Sequence, residues 1–73
     1  MTKEYKIKKL FDAGVAAYIT YNFHKSARLL SRVIKLDPQF ALAYVSRGAA
    51  HLKLGKLNEA IADFGAAIEL NPK

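Results

Sequence analysis

The sequence predicts an all-α protein in which four helices form two stacked, antiparallel helix-turn-helix hairpins. Three observations carry that expectation. A 34-residue period runs through the 73 residues. Within each period, apolar and small side chains recur every three or four residues, the spacing of one helix face. Both prolines fall outside these apolar runs.

The period is clearest where Leu36-Asp37-Pro38 returns as Leu70-Asn71-Pro72. At the same shift Gly14 meets Gly48, Ala16 meets Ala50, Ile34 meets Ile68 and Phe23 meets Leu57. Between Ile7 and Lys73 the shift pairs 33 positions, of which five are identical. Agreement in residue class at the small and apolar positions therefore carries more weight than identity.

The elements follow in order. A first helix is expected over residues 3–20, on the correspondence of Gly14 and Ala16 with Gly48 and Ala50 in the better-patterned second unit. A second is expected over 24–36, entered through Asn22, which tolerates left-handed backbone better than Tyr21. It ends before Pro38, whose ring disfavours helical geometry in the preceding residue. A third helix, over 41–54, carries Ala43, Ala50 and Leu54 at helical spacing and stops at Gly55, which can adopt the left-handed conformation of a C-terminal cap. A fourth, over 58–70, is expected to be capped by Asn58, to run through Ala60, Ile61, Phe64, Ala67 and Ile68, and to end before Pro72. Gly48 and Ala60 are expected to let the helices approach, with Phe64 and Tyr44 filling the wider ends.

A hairpin repeated every 34 residues resembles the tetratricopeptide repeat family, and the resemblance covers nearly the whole chain. The second unit carries most of the signature: Tyr44, Gly48, Gly55, Leu57, Ala60, Phe64, Ala67 and Pro72 stand at the family's spacing. The first unit departs from it at Tyr21 and Ser26, where glycine and alanine are expected. The resemblance implies a right-handed superhelical α-α solenoid. It makes residues 1–73 one domain, with repeat one at about 7–40 and repeat two at about 41–73.

Composition narrows the function classes. At 52% apolar and 25% charged, the chain has the make-up of a folding one. A domain of this size removes only about 60% of its unfolded surface from water, and without cysteine it has no disulfide to add stability. No apolar run approaches the roughly 20 residues of a membrane span, and no export signal stands out, so a cytoplasmic setting without membrane contact is expected. Nothing catalytic is expected either. His24 and His51 lie far apart with no cysteine near them, no glycine-rich phosphate loop exists, and no metal or cofactor is implied. His51 falls where the family packs a tyrosine between repeats, and His24 is expected to face solvent. Gly65 weakens its helix by about 1 kcal/mol relative to alanine, so it is expected to admit a close neighbour.

Family geometry implies a concave face made by the leading helix of each repeat. That face presents Lys8, Phe11, Asp12, Val15, Tyr18 and Ile19 from the first unit, and Leu42, Val45, Ser46, Ala49, Leu52 and Lys53 from the second. Its largely apolar character suits a protein or peptide segment; alternatively Phe11, Tyr18 and Leu52 serve internal packing or self-association. Relatives that clamp the carboxylate end of chaperone peptides place basic and amide side chains where this chain has Phe11, Val15 and Ser46, which argues against that use.

The net charge of +6 resides mainly in residues 1–38, which hold eight basic and three acidic side chains. Lys25, Arg28, Arg32 and Lys35 share one helix face, placed on the convex side by the resemblance. Such a stripe is either a solvated face or a dock for an acidic partner. Nucleic acid is disfavoured, because the stripe lacks the interleaved aromatics used for base stacking. A third possibility is a structural repeat unit with no ligand. Finally, repeat arrays need about three repeats or a polar cap. Here a surface including Ala62, Ala66 and Leu70 is expected to stay uncovered, so the chain either self-associates, which is the expectation, or is cut from a longer array.

Overall fold

The computed structural model describes residues 2–72 and contains four α-helices: α1 (Lys3–Ile19), α2 (Phe23–Leu36), α3 (Ala41–Lys53) and α4 (Leu57–Leu70). The α1–α2 and α3–α4 hairpins pack side by side through α2 and α3. No described helix is long and apolar enough to cross a membrane. The architecture is the one expected from the 34-residue period.

Thr2 caps α1 by accepting a hydrogen bond from the Tyr5 N–H at 3.1 Å. Both hairpin turns are then built bond for bond alike. In the first, the Asn22 N–H donates to the Ala17 carbonyl at 2.8 Å and the Tyr21 N–H to that of Tyr18 at 3.0 Å. In the second, 34 residues on, Lys56 donates to His51 at 2.8 Å and Gly55 to Leu52 at 3.0 Å. This paired arrangement is a Schellman ending, which needs one left-handed residue. Gly55 supplies it at φ 76°, as expected.

Two local expectations are corrected here. In the first turn the left-handed residue is Tyr21, at φ 64°, and not Asn22, which sits at φ −96°. The six-residue ring closed by the Asn22 N–H fixes the left-handed site by register, whatever residue occupies it. Asn58 likewise does not cap α4. The turn leads straight into the helix, Lys56 occupies the cap position without a side-chain bond, and Asn58 lies exposed inside the first turn.

The core is small and made mostly of small residues: Ala17, Leu30, Val33, Ala43, Ala50, Ala60 and Ala67 are buried. Alanine lets two helices lie close, so modest side chains still fill the space between them. The glycines act differently from the expected backbone-to-backbone approach. A Cβ built on Gly48 would lie 2.8 Å from the Phe64 ring, and one on Gly14 would lie 2.9 Å from Leu30 Cγ. Each glycine seats a large side chain from the second helix of its own hairpin. Phe64 therefore packs at the glycine and not at a wide end, while Tyr44 turns outward to donate its hydroxyl hydrogen to the Pro38 carbonyl at 3.0 Å.

Gly65 is also corrected. It is exposed, and a Cβ there would meet nothing within 4 Å. The uncovered surface is displaced from the one expected. Ala62 is exposed, but Ala66 and Leu70 are half-buried, and the large open apolar side chains of α4 are Leu57, Ile61 and Ile68, at 59%, 68% and 63% exposure. These correspond at the 34-residue shift to Phe23, Ala27 and Ile34, all half-buried in α2. Ala62, Ala66 and Leu70 correspond instead to Arg28, Arg32 and Leu36, on the outer side.

Candidate protein-binding surface

The twelve residues expected to form one concave groove lie along α1 and α3, but the structure divides them among shallow recesses. Val15 and Tyr18 of α1 meet Val45, Ser46 and Ala49 of α3 around a recess of about 190 Å³. That volume suits one or two inserted side chains and falls short of a small-molecule site, for which about 300–1,000 Å³ is usual. Lys8, Phe11 and Asp12 line a second recess with Glu4, Ile7, Asp37 and Phe40. Leu42 and Val45 open onto a third, formed with Phe64, Ala67 and Ile68. Ile19, Leu52 and Lys53 are exposed and line none of the three.

Two of the expected contact aromatics are partly used internally. Phe11 stacks on Phe40 of the interhairpin loop, with ring centroids 5.0 Å apart. Tyr18 meets Phe23 edge-on at 5.4 Å. Both are half-buried. The side chains most available to a partner are instead on α3: Leu42, Val45 and Leu52, each 44–50% exposed. At the rim, Lys8 pairs with Asp12 at 2.9 Å. The hydrogen bond to Asp12, helped by attraction to its carboxylate, holds the Lys8 ammonium above its ordinary pKa.

The basic stripe is present as a surface. Lys25, Arg28, Arg32 and Lys35 are all exposed along α2. Arg32 and Lys35 flank a shallow recess with Lys6, floored by Leu10 and Leu36. His24 is exposed, and His51 is half-buried between α3 and α4.

Sequence reasoning missed a polar centre between the helices. Arg47 on α3 donates two hydrogen bonds to Asp63 on α4, Nη2 to Oδ1 at 2.6 Å and Nε to Oδ2 at 2.9 Å. A third, from Nη1 to Ser31 Oγ at 3.1 Å, reaches α2. Asp63 is only 4% exposed. Burial of a carboxylate is tolerable when a guanidinium meets it in this two-pronged way. His51 brings Nδ1 to 3.0 Å from Asp63 Oδ2, without hydrogen-bond geometry. The arrangement ties three helices together and orients the surface that α3 presents. An aspartate inside the apolar run Ala60–Ala67 was the available signal, since such a charge requires a partner. In the first hairpin the comparable tie is a single bond, from Ser26 Oγ to the Gly14 carbonyl at 2.7 Å. There the departure from alanine at Ser26 proves to be structural.

Among the described residues no three metal-ligating side chains cluster. The surface offers shape, apolar contact and charge.

Comparison with known proteins agrees with this picture. A family model described as tetratricopeptide repeat matches residues 41–73. The chain is similar to a Protein SGT1 homolog of Oryza sativa subsp. japonica, 42% identical over 57 residues, which cover 78% of this chain and 16% of that protein. It is similar to Hsc70-interacting protein 1 of Drosophila melanogaster, 41% identical over 58 residues, or 80% of this chain and 15% of the relative. Dynein axonemal assembly factor 4 of Mus musculus is 36% identical over 61 residues, or 84% and 14%. The chain thus spans only about a sixth of the length of the curated relatives it matches.

Proposed function

We propose, from the premise that this chain belongs to the tetratricopeptide repeat family, that it is a non-catalytic interaction module receiving an apolar protein segment on the face shared by α1 and α3. Repeats of this family generally mediate protein–protein interaction. The observation that carries the finer reading is the exposure of Leu42, Val45 and Leu52 beside the recess at Val15 and Tyr18. These side chains gain by leaving water, at about 25 cal/mol per Å² of apolar surface covered. The recess has no basic lining residue, which favours an apolar segment over an acidic chain end. One relative is named for interaction with Hsc70, and that name supports a protein partner as the class to test first. The same reading has copies of the chain associating through apolar surface left open by the second hairpin.

The test is selection of peptides from a random display library on the wild-type chain, followed by binding to the Val45→Glu variant and to an Arg28→Glu/Arg32→Glu variant. The expected result is binding lost in the first, retained in the second, and only modestly weakened by salt. Binding that survives Val45→Glu yet collapses with salt and with the loss of the arginines would replace this reading with an electrostatic one. Unchanged helical circular dichroism in each variant secures the comparison.

A further inference from the structure

The outer faces of α2 and α4 are one surface built twice, and they carry opposite charge. At the shift of 34, Lys25, Arg28, Arg32 and Lys35 of α2 stand where α4 has Glu59, Ala62, Ala66 and Glu69. The same hairpin backbone forms over either set, so the fold does not require the four cations. They also lack partners. Among the described residues the close charged contacts are Lys8 with Asp12, and Arg47 and His51 with Asp63, and none involves α2. The helix itself contains no Asp or Glu. Like charges three and four residues apart destabilise a helix, and Lys25, in the first turn, lies at the positive end of the helix dipole. A bound anion relieves both.

The end of the stripe says more about that anion. Arg32 and Lys35, with Lys6 of α1, rim a recess of about 460 Å³ whose floor is Leu10 and Leu36, both half-buried. The exposed side chains of α2 are all polar or charged, so this recess is where an apolar group finds cover beside the stripe. We propose that the face is a second docking site, for an acidic protein segment that lays carboxylates along Lys25–Lys35 and places one large apolar side chain in the recess. The proposal goes beyond the function given above and shares no lining residue with the recess between α1 and α3.

Geometry and chemistry both favour a protein segment. From Lys25 to Lys35 the helix rises about 15 Å, the length of about five residues of extended chain. Arg28 and Arg32 can each hold a carboxylate by two parallel hydrogen bonds. Charge alone suits a phosphate polymer equally, but the leucine floor does not. A phosphodiester backbone has no apolar side chain to place there, and the recess has no aromatic ring on which a base could stack. A membrane surface is met by exposed apolar side chains that enter it, and α2 exposes none.

Fluorescence anisotropy tests this with a labelled peptide of four glutamates around one leucine, and with a companion in which glycine replaces the leucine. The full chain is expected to bind the leucine peptide about tenfold more tightly, the gain from covering one aliphatic side chain. Arg32→Glu is expected to weaken the leucine peptide by at least about tenfold with unchanged circular dichroism. Lys56→Glu makes the same change in net charge away from the stripe and is expected to leave binding within about twofold. Val45→Glu is expected to leave it as well. Equal binding of the two peptides would overturn the recess as the apolar anchor point, and equal loss in Arg32→Glu and Lys56→Glu would reduce the stripe to net charge. Loss in Val45→Glu with retention in Arg32→Glu would place the peptide between α1 and α3, overturning this site and leaving that one standing. Tighter binding of single-stranded DNA of equal charge, or of phosphatidylserine vesicles, would overturn the assignment to a protein segment.

Discussion

The two hairpins share a backbone and differ in how they hold it. Gly55 makes the second turn with the residue best suited to left-handed geometry, whereas Tyr21 makes the first with a bulky one, 82% exposed and edge-on to Phe23 at 6.1 Å. Gly14 seats a fully buried leucine; Gly48 seats a half-buried phenylalanine at the edge of the open face. One hairpin is tied by a serine hydroxyl on a carbonyl, the other by a charged pair that also reaches α2. A repeat is therefore conserved here as a set of backbone bonds and close contacts, which quite different side chains satisfy.

The largest expected difference lies in the charged tie. Arg47→Ala strands Asp63 in the interior, a loss of about 3–5 kcal/mol for a buried pair broken from one side. Asp63→Ala leaves an arginine whose side chain is 23% exposed and can turn toward water, so urea unfolding should show a loss of about half that size. Equal losses from the two variants would mean that burial does not govern this pair.

Next come the seated glycines. Gly14→Ala drives a methyl into fully buried Leu30, and overpacking of about 1–3 kcal/mol outweighs the helix propensity gained. Gly48→Ala meets the far edge of the Phe64 ring, which can swing toward the open face, so thermal melts should place it close to wild type. Reversal of that order would show α4 to be covered and its ring immobile.

Gly65→Ala should stabilise by about 1 kcal/mol, because the added methyl finds empty space and the helix loses its most flexible residue. Smallest is the exchange of turn residues. Tyr21→Gly relieves left-handed strain of about 1–2 kcal/mol but adds freedom to the unfolded chain of about 0.5–1 kcal/mol, leaving a gain of somewhat less than about 1 kcal/mol. Gly55→Ala should shift the denaturation midpoint the other way.

These contrasts also mark what the sequence could reveal. Helix ends at Pro38, Gly55 and Pro72, and the hairpin period itself, are local signals and were legible. The Tyr21 turn was not, because its geometry is imposed by hydrogen bonds from either side and contradicts the preference of the residue. Arg47 and Asp63 lie 16 residues apart on different helices, so their pairing emerges only after the hairpin forms. The α1 and α3 residues expected to form one groove were legible as positions on two helices. Their division among recesses was not, because Phe11 turns to Phe40 and Tyr18 to Phe23, contacts that depend on where loops run. The open side of α4 was misplaced by one helical position for a similar reason: Ala62 and Ile61 are neighbours in sequence but face different directions once α3 fixes the rotation of the helix.

Everything proposed for the two faces depends on the hairpins being the same object repeated. A through-space proton NMR spectrum tests that directly, by looking from each glycine to the side chain it seats. Cross-peaks from the Gly14 α-protons to the Leu30 methyls, together with cross-peaks from the Gly48 α-protons to the Phe64 ring, are the expected result. A spectrum holding one set without the other would mean that the two halves pack differently, and the equivalence of α2 with α4 would be lost.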